Sequence, residues 1–284
     1  MKVLCIGEIV GKAGIYVIKS KLKKIRKEYG IDFVIANGEG ATGGFGIGKN
    51  HSIYLHKLGI DVITGGECMY YKRDMVEHIQ KASYILRPAN YPPGNPGRGW
   101  KITTLPAQDN PDGGDGEHKD HKIAVISLMG QSGFGRAHLS NPFSYVPKII
   151  EKIQAETANI IVDFHASTTA EKYTMFHHLN GKVSAVVGTH TKAITADARV
   201  MDKGTAVICD TGRTGSIDSV AGFDTETEIQ QYLSQIPERS KDGWKGLELQ
   251  GAVIEIGDDG KALSIETLRI PCESAPDQNA AVGE

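Results

Sequence analysis

The chain has 284 residues, of which 40% are hydrophobic and 23% are charged, so it is long enough to bury a substantial core. Its 32 basic residues nearly balance its 34 acidic residues, which argues against general nucleic-acid binding and against binding to a membrane surface. The four cysteines show no CxxC spacing, and no apolar run reaches the roughly 18 residues of a membrane helix. We therefore expect a cytoplasmic protein with reduced thiols.

Short apolar runs alternate with amphipathic stretches over the first part of the chain. The runs Val3–Ile6, Asp32–Ala36 and Val62–Thr64 have the length and apolar character of buried strands. Apolar residues at helical spacing predict a helix at Gly14–Tyr29, and a second helix is predicted at Arg73–Lys81. Because strands that alternate with helices normally form parallel units with crossovers, this order predicts an α/β protein with a parallel core.

Two strand pairs are predicted further along the chain. Lys101–Leu105 and Lys122–Leu128 have strand character and flank a polar, glycine-rich stretch at about 107–121, which we interpret as an insertion in a hairpin. Leu247–Ile256 and Ala262–Ile270 flank a Gly-Asp-Asp-Gly sequence that is typical of a hairpin turn. The late pair therefore predicts a β-hairpin near the end of the chain.

The remaining sequence adds helices between the strands. These helices are predicted near Phe143–Ala155, Thr168–Leu179 and Thr225–Gln235. No internal repeat divides the chain, so we expect one domain over residues 1–271. The last residues, 272–284, are polar and poor in apolar side chains, which predicts a flexible tail.

Five predicted strands are each followed by an acidic residue or a histidine. The carboxylates are those of Glu8, Glu39 and Glu67, and the imidazoles are those of His165 and His190. Open α/β sheets bind ligands at the carboxyl ends of their strands, so these groups are expected to converge. Carboxylates and imidazoles together form the ligand set of a divalent ion such as Zn, Mn or Fe. The alternative for the two histidines is a hydrogen-bonded place in the core.

Short motifs rich in glycine, histidine and acidic residues occur along the whole chain. They are Gly7-Glu8-Ile9-Val10-Gly11, Asn37-Gly38-Glu39, Arg87-Pro88-Ala89-Asn90, Asp163-Phe164-His165-Ala166, Gly188-Thr189-His190-Thr191 and Asp210-Thr211-Gly212-Arg213-Thr214-Gly215. In this order the motifs resemble those of the YmdB-like metallophosphoesterases of the calcineurin-like superfamily. The resemblance implies a four-layer αββα sandwich of two mixed β-sheets flanked by helices. It also implies a two-metal site that hydrolyses phosphodiesters, including cyclic nucleotides.

The resemblance implies a role for each residue of the site. Glu39 is expected to be shared by the two metals of the family. The first metal would also take Glu8 and the residue at position 192. The ligands of the second metal would be Glu67, His165 and His190, together with the shared Glu39.

Several of these positions depart from the family pattern. The departures, each given with the family residue that it replaces, are Glu8 for Asp, Gly40 for Asn, Glu67 for Asn, Cys68 for His, Ser167 for Glu and Lys192 for His. The histidine that Cys68 replaces is the family's general acid, and the loss of such a group typically costs ~10²–10⁴-fold in rate. Cys68 thus stands at a catalytic position, and the competing interpretation is a small buried residue.

The lysine at position 192 changes the electrostatics of the first metal site. An ammonium group cannot bind a metal while it is protonated, so we predict that Lys192 replaces the first metal and pairs with Glu8 and Glu39. One ammonium group and one divalent ion would then balance the three carboxylates. We therefore expect one divalent ion (Fe, Mn or Zn) or none, and not two.

These substitutions predict a protein with weak or no phosphodiesterase activity. Its function would be that of a binding or scaffold protein for a nucleotide, another phosphodiester or a protein partner. The alternative is an active phosphodiesterase of the cyclic-nucleotide class with a remodelled one-metal site. In that case the carboxylate of Glu67 could act as a general base. Homo-oligomer formation is compatible with either function.

Overall fold

The fold is described by a computed structural model over residues 1–106, 121–135 and 138–273. The strands are β1 (Lys2–Ile6), β2 (Glu8–Ile9), β3 (Phe33–Asn37), β4 (Val62–Thr64), β5 (Ile85–Leu86), β6 (Trp100–Leu105), β7 (His121–Met129), β8 (Ile160–His165), β9 (Ala185–Thr189), β10 (Arg199–Val200), β11 (Ala206–Ile208), β12 (Arg213–Ser216), β13 (Leu247–Ile256) and β14 (Ala262–Pro271). The helices are α1 (Gly11–Glu28), α2 (Lys49–Lys57), α3 (Arg73–Lys81), α4 (Pro142–Gln154), α5 (Thr169–Leu179) and α6 (Thr225–Ser234).

The strands form two mixed sheets, each with a parallel centre. The first sheet has the order β2-β12-β13-β1-β3-β4-β5, and β14 also pairs with β13. Strands β1, β3, β4 and β5 are parallel, whereas β13 is antiparallel to β1. The second sheet has the order β10-β11-β9-β8-β7-β6 and is parallel from β11 to β7. The predicted parallel core is therefore confirmed, and it is divided between two sheets.

Three separate apolar cores show that the sheets and helices form four layers. The first core packs the apolar face of α1, with Ile15 and Leu22, against one face of the first sheet. The second core packs α4 and α5 against the outer face of the second sheet. The third joins the two sheets and contains Val3 and Phe33 from one and Ile161 from the other. This arrangement confirms the predicted αββα sandwich.

Most predicted elements occur within a few residues of their expected ends, and α3 and β13 match their predicted bounds. The clearest difference is at α1, which begins at Gly11 instead of Gly14. The first turn of this helix lies so close to β12 that a Cβ atom at Gly14 would be 2.5 Å from the Thr214 carbonyl oxygen. Because only small residues fit there, the first turn carries no apolar periodicity and the sequence places the helix start too late.

Among the short strands that were not predicted, β2 and β12 lie beside the site. β2 runs parallel to β12, with Glu8 opposite Arg213. β2 has two residues and β12 has four, which is too short for an alternating apolar pattern. These two strands form because they pair with each other in the tertiary structure. Because of this pairing, Glu8 belongs to a strand of the sheet and does not lie in the loop after β1.

The predicted insertion and tail fall largely outside the described residues, which omit 107–120 and 274–284. β7 begins at His121, which pairs with Leu105, so this strand starts one residue before the predicted Lys122. Among the described residues, no helix is both long enough and apolar enough to cross a membrane. The single domain over residues 1–271 stays a prediction.

Candidate metal site

Three predicted site residues meet at the carboxyl ends of β4, β8 and β9. The Nε2 atom of His165 lies 2.8 Å from Glu67 Oε2, and His190 Nδ1 lies 3.2 Å from His165 Nε2. His190 Nδ1 is also 3.6 Å from Glu67 Oε1. Ligand atoms on one tetrahedral zinc ion are about 3.3 Å apart, given bonds near 2.0–2.1 Å. The three side chains therefore have the chemistry and the spacing to hold one divalent ion.

The orientation of His165 is fixed by a buried hydrogen-bond chain behind it. The Thr189 hydroxyl donates to Asp163 Oδ1 at 2.8 Å, so it accepts from Nδ1–H of His165 at 2.9 Å. The Nε2 atom of His165 is then left to face Glu67 and His190. A hydrogen bond of this kind sets the tautomer of a metal-binding histidine. Sequence reasoning missed the roles of Asp163 and Thr189, although both lie in the motifs that carry the resemblance.

Glycine is required where the loop after β4 passes His165. A Cβ atom at Gly66 would lie 2.2 Å from Cδ2 of the His165 ring, so no other residue fits without displacing the imidazole. The next residue, Glu67, is thereby held against the ring. This close approach explains why the carboxylate reaches the two histidines.

The segment that carries His190 and Lys192 has a strained backbone. His190 has φ 102° and Lys192 has φ 59°, values that residues with a Cβ atom rarely adopt. Asp210 holds the intervening residue, because its Oδ2 atom accepts from the backbone N–H of Thr191 at 2.9 Å and from its hydroxyl at 2.7 Å. The same carboxylate is paired with the buried Lys172 ammonium at 3.0 Å. Sequence reasoning also missed Lys172 and Asp210.

Of the two partners predicted for Lys192, the structure places only Glu8 in an ion pair with it. Its ammonium lies 3.2 Å from Glu8 Oε1, and among the described residues this is its only ion pair within 4 Å. The Glu39 carboxylate is instead bound by backbone N–H groups, that of Gly66 at 2.6 Å and that of Cys68. The loop after β4 folds over Glu39 and supplies these donors, but burial outweighs them and raises the pKa of Glu39 to about 7. Burial would lower the pKa of Lys192, but the Glu8 carboxylate raises it and keeps the ammonium protonated.

Burial and charge also set the protonation of the three converging side chains. Burial would raise the pKa of Glu67, but the hydrogen bond from His165 holds it at about 2. Burial would lower the pKa of His165, but Glu67 raises it to about 9. Burial and the positive charge of His165 lower the pKa of His190 to about 4. A proton and a metal ion compete for Nε2 of His165, so metal binding is expected to release a proton.

Cys68 is buried and its thiol lies among carboxylates. Burial raises its pKa first, and the charges of Glu39 and Glu67 raise it further. One ligand atom each from Glu39, Glu67 and Cys68 lie within 4.8 Å of one another, so these residues form a second group with metal-binding chemistry. A thiol with such a raised pKa is a weak acid near neutral pH, which disfavours Cys68 as a general acid.

The side chains at positions 8 and 40 compete for the same space. A Cβ atom at Gly40 would lie 2.7 Å from Glu8 Oε1 and 3.0 Å from the Ile9 carbonyl oxygen. Glu8 is buried and held by Lys192, so its carboxylate cannot move away freely. The Glu8 side chain, which is one methylene longer than an aspartate, thus occupies the space of a side chain at position 40.

We expect Gly40→Ala to lower the free energy of unfolding by about 1–3 kcal/mol through overpacking. The loss should be smaller when Glu8→Asp is present in the same chain, because the shorter side chain makes room. Urea denaturation of the two single variants and the double variant measures this coupling. Gly94→Ala is the control, since a Cβ atom there meets nothing within 4 Å. Strictly additive effects at positions 8 and 40 would show that the two sites are independent.

Two sheets packed face to face, with imidazoles and carboxylates gathered at the strand ends, define a metallophosphoesterase-type protein. The family is shown by comparison with known proteins. The family model described as YmdB-like protein matches residues 4–268, so the chain belongs to the YmdB-like family. The resemblance drawn from the motifs is thereby confirmed.

Individual relatives agree with this assignment. A 2',3'-cyclic-nucleotide 2'-phosphodiesterase of Bacillus subtilis is 36% identical over 271 residues, which are 95% of this chain and 97% of that protein. The crystal structure of a novel phosphatase from Mycoplasma pneumoniae has a TM-score of 0.85 and 28% identity, and the match covers 99% of each chain. A 5'-nucleotidase precursor from Thermus thermophilus has a TM-score of 0.53 and 8% identity over 99% of this chain and 56% of that one, which shows a shared fold.

Proposed function

We propose that this YmdB-like protein holds one divalent ion with Glu67, His165 and His190 and binds a phosphodiester there, such as a nucleotide, with weak or no hydrolysis. The observation that carries the proposal is the ion pair between Lys192 and Glu8, 3.2 Å apart. By the family's pattern, both residues stand at positions that serve the first metal. An ammonium group at this place supplies positive charge but no metal coordination.

Charge argues against a second ion beside Lys192. Like charges at close range repel by several kcal/mol where burial lowers the effective dielectric constant, and the ammonium is largely buried. Glu39, the carboxylate that two ions would share, has its oxygens bound by the N–H groups of Gly66 and Cys68. The first metal position is therefore a poor fit for an ion in this chain.

The remaining residues suit ligand binding better than hydrolysis. An ion at the three converging side chains would supply Lewis acidity toward a phosphoryl oxygen. Lys192 adds a positive charge that is fixed in place by Glu8. The Cys68 thiol is a poor proton donor to a leaving group, because burial and the nearby carboxylates strongly raise its pKa. Binding without efficient turnover follows from this combination.

A second candidate function is an active phosphodiesterase that uses a one-metal site. It is favoured by the spacing of the Glu67, His165 and His190 ligand atoms and by 36% identity to a 2',3'-cyclic-nucleotide 2'-phosphodiesterase. The role given to Glu67 weighs against it, because a carboxylate that binds the ion is not free to act as a general base. The first proposal also includes a scaffold function, in which the protein binds a protein partner with or without a bound nucleotide.

Metal analysis of the purified protein tests the proposed site. We expect about one divalent ion per chain, as for one site of this ligand set, and nearly complete loss of the ion in His165→Ala. His177→Ala is the matched control, because His177 is an exposed histidine at the end of α5. Two ions per chain, or an unchanged metal content in His165→Ala, would contradict the proposed site.

Hydrolysis assays separate the two candidate functions. Bis(p-nitrophenyl) phosphate and 2',3'-cyclic AMP are suitable substrates, each measured with Mn, Zn and Fe. Turnover no faster than that of His165→Ala supports the binding protein. Turnover that His165→Ala abolishes and His177→Ala leaves intact supports the one-metal phosphodiesterase.

A further inference from the structure

The motif Arg87-Pro88-Ala89-Asn90 supplies no ligand to the candidate metal site, yet its last residue is fully buried. The Asn90 side-chain amide donates to the Met129 carbonyl oxygen at 2.8 Å and to the Ser140 carbonyl oxygen at 3.0 Å. Its side-chain oxygen accepts from the Met129 N–H at 3.1 Å, and its backbone carbonyl oxygen accepts from the Ser140 N–H at 3.0 Å. Asn90 thus ties the last residue of β7 to the segment just before α4.

The chain that leaves β7 reaches the candidate metal site within the described residues 130–135. The Phe134 ring lies 6.0 Å from the His165 ring and 4.9 Å from the His190 ring, measured between ring centroids. His165 is fully buried and fixed from behind by Thr189, whereas the His190 side chain is 29% exposed. The phenyl ring of Phe134 therefore supplies packing that helps to keep the His190 imidazole in the site.

A second set of contacts docks the same segment, but water reaches it. The Glu171 carboxylate, in the first turn of α5, accepts from the N–H groups of Gln131 at 2.8 Å and Ser132 at 3.3 Å, and both bonds are exposed. By contrast, the bonds between Asn90 and Met129 are buried. A hydrogen bond is stronger where the local dielectric constant is low, and a buried group without its partner is costly. Asn90 is therefore expected to hold the segment more firmly than Glu171.

We propose that Asn90 is a positioning residue of the candidate metal site. By joining Met129 to Ser140, it holds Phe134 against the His190 imidazole and keeps that ring turned towards His165. The effect on metal binding rests on the proposed function. The packing of Phe134 on His190 is a property of the chain itself and can be measured without metal.

NMR spectra of the metal-free, full-length protein test the packing directly, because an aromatic ring shifts the resonances of protons close to it. The His190 ring protons are assigned by their loss in His190→Gln. Phe134→Leu shows where these resonances lie without the ring, and Phe134→Tyr should keep them as in the unmodified chain. We expect Asn90→Ala to move the His190 resonances most of the way towards their positions in Phe134→Leu.

Zinc titration against a competing chelator measures the consequence for the site. We expect Phe134→Leu and Asn90→Ala each to weaken zinc binding about threefold to tenfold, through loss of an aromatic contact. The double variant should bind zinc no more weakly than Phe134→Leu alone, because Asn90 acts through Phe134. Asn159→Ala is the matched control, since the Asn159 amide donates to the Lys122 carbonyl oxygen at 2.9 Å just before β8, at the end of that strand away from the site. It should change neither the zinc affinity nor the His190 resonances.

The contrary outcomes are distinct. Unchanged His190 resonances, or an unchanged zinc affinity, in Asn90→Ala would overturn the positioning role and, as long as the unmodified chain binds zinc, leave the proposed function standing. Moved resonances in a chain that binds no zinc would support the packing role and overturn the proposed function. Additive losses in the double variant would show that Asn90 does not act through Phe134 and would overturn the proposal. Asn90→Ser, which keeps one donor and an acceptor, replaces Asn90→Ala if that variant does not fold, and it should give smaller changes in the same direction.

Discussion

Restoring the family residues at five positions should raise the metal content towards two ions per chain and produce measurable phosphodiesterase activity. We expect a gain in rate of at least ~100-fold over the unmodified chain, because a positioned general acid alone contributes ~10²–10⁴-fold. The substitutions are Glu8→Asp, Gly40→Asn, Glu67→Asn, Cys68→His and Lys192→His, made together.

The substitutions must be combined because the side chains share one space. The Lys192 ammonium is paired with Glu8, so removing only the lysine would leave a buried carboxylate without its cation. A side chain at position 40 would meet the Glu8 carboxylate, so it can be restored only with the shorter aspartate. Metal analysis and hydrolysis of bis(p-nitrophenyl) phosphate measure the result.

A four-substitution variant that keeps Lys192 is the matched control. It should still hold about one ion per chain, because the ammonium would still exclude the second. If the five-substitution variant also holds one ion or none, the assignment of positions 8 and 192 to the first metal is wrong. A full metal content in the four-substitution variant would show that Lys192 does not exclude an ion.

The largest expected effect on stability comes from Lys172→Met. We expect this variant to lower the free energy of unfolding by about 3–5 kcal/mol, because it leaves the Asp210 carboxylate buried without its cation. Both members of this pair are almost fully buried, and the Lys172 ammonium lies 3.0 Å from Asp210 Oδ2. Methionine keeps much of the apolar volume, so the lost charge is the main change.

Lys172→Met should also weaken metal binding at the candidate site. Asp210 holds the backbone between His190 and Lys192 through its hydrogen bonds with Thr191. Loss of such outer-shell support typically costs about 10–100-fold in metal affinity. Urea denaturation and metal titration measure the two effects. Lys122→Met is the control, since its ion pair with Glu156 is about half exposed and should contribute less than about 1 kcal/mol. Equal losses in the two lysine variants would show that burial of Asp210 is not the cause.

Much of the fold could be predicted from the sequence because its elements carry strong local patterns. The apolar runs of β1, β3 and β8 and the amphipathic face of α1 are visible without any tertiary contact. The short strands β2 and β12 could not be predicted, because each is stabilised only by its pairing with the other and with the first sheet.

The candidate site was predicted to a similar extent. Acidic residues and histidines that follow buried strands must come to the same edge of a parallel sheet, so the convergence of Glu67, His165 and His190 was foreseeable. The roles of Asp163 and Thr189 in supporting this group could not be foreseen. Nor could the roles of Lys172 and Asp210, which support the segment that carries His190 and Lys192. Buried polar pairs have no local signature, because each partner looks like an ordinary polar residue until packing removes water from it.

The sequence by itself determined the strand order along the chain and the candidate ligand types at the strand ends. The replacement of a family histidine by Lys192 stays a prediction. Only the tertiary structure decided that Lys192 pairs with Glu8, that Glu8 fills the space beside Gly40, and that a cavity adjoins Glu67 and His190. Tyr71, Tyr91 and Phe134, which line this cavity, come from separate loops. The physical reason is range: local patterns follow from the period of a helix or strand, whereas these contacts depend on how two sheets and their loops pack together.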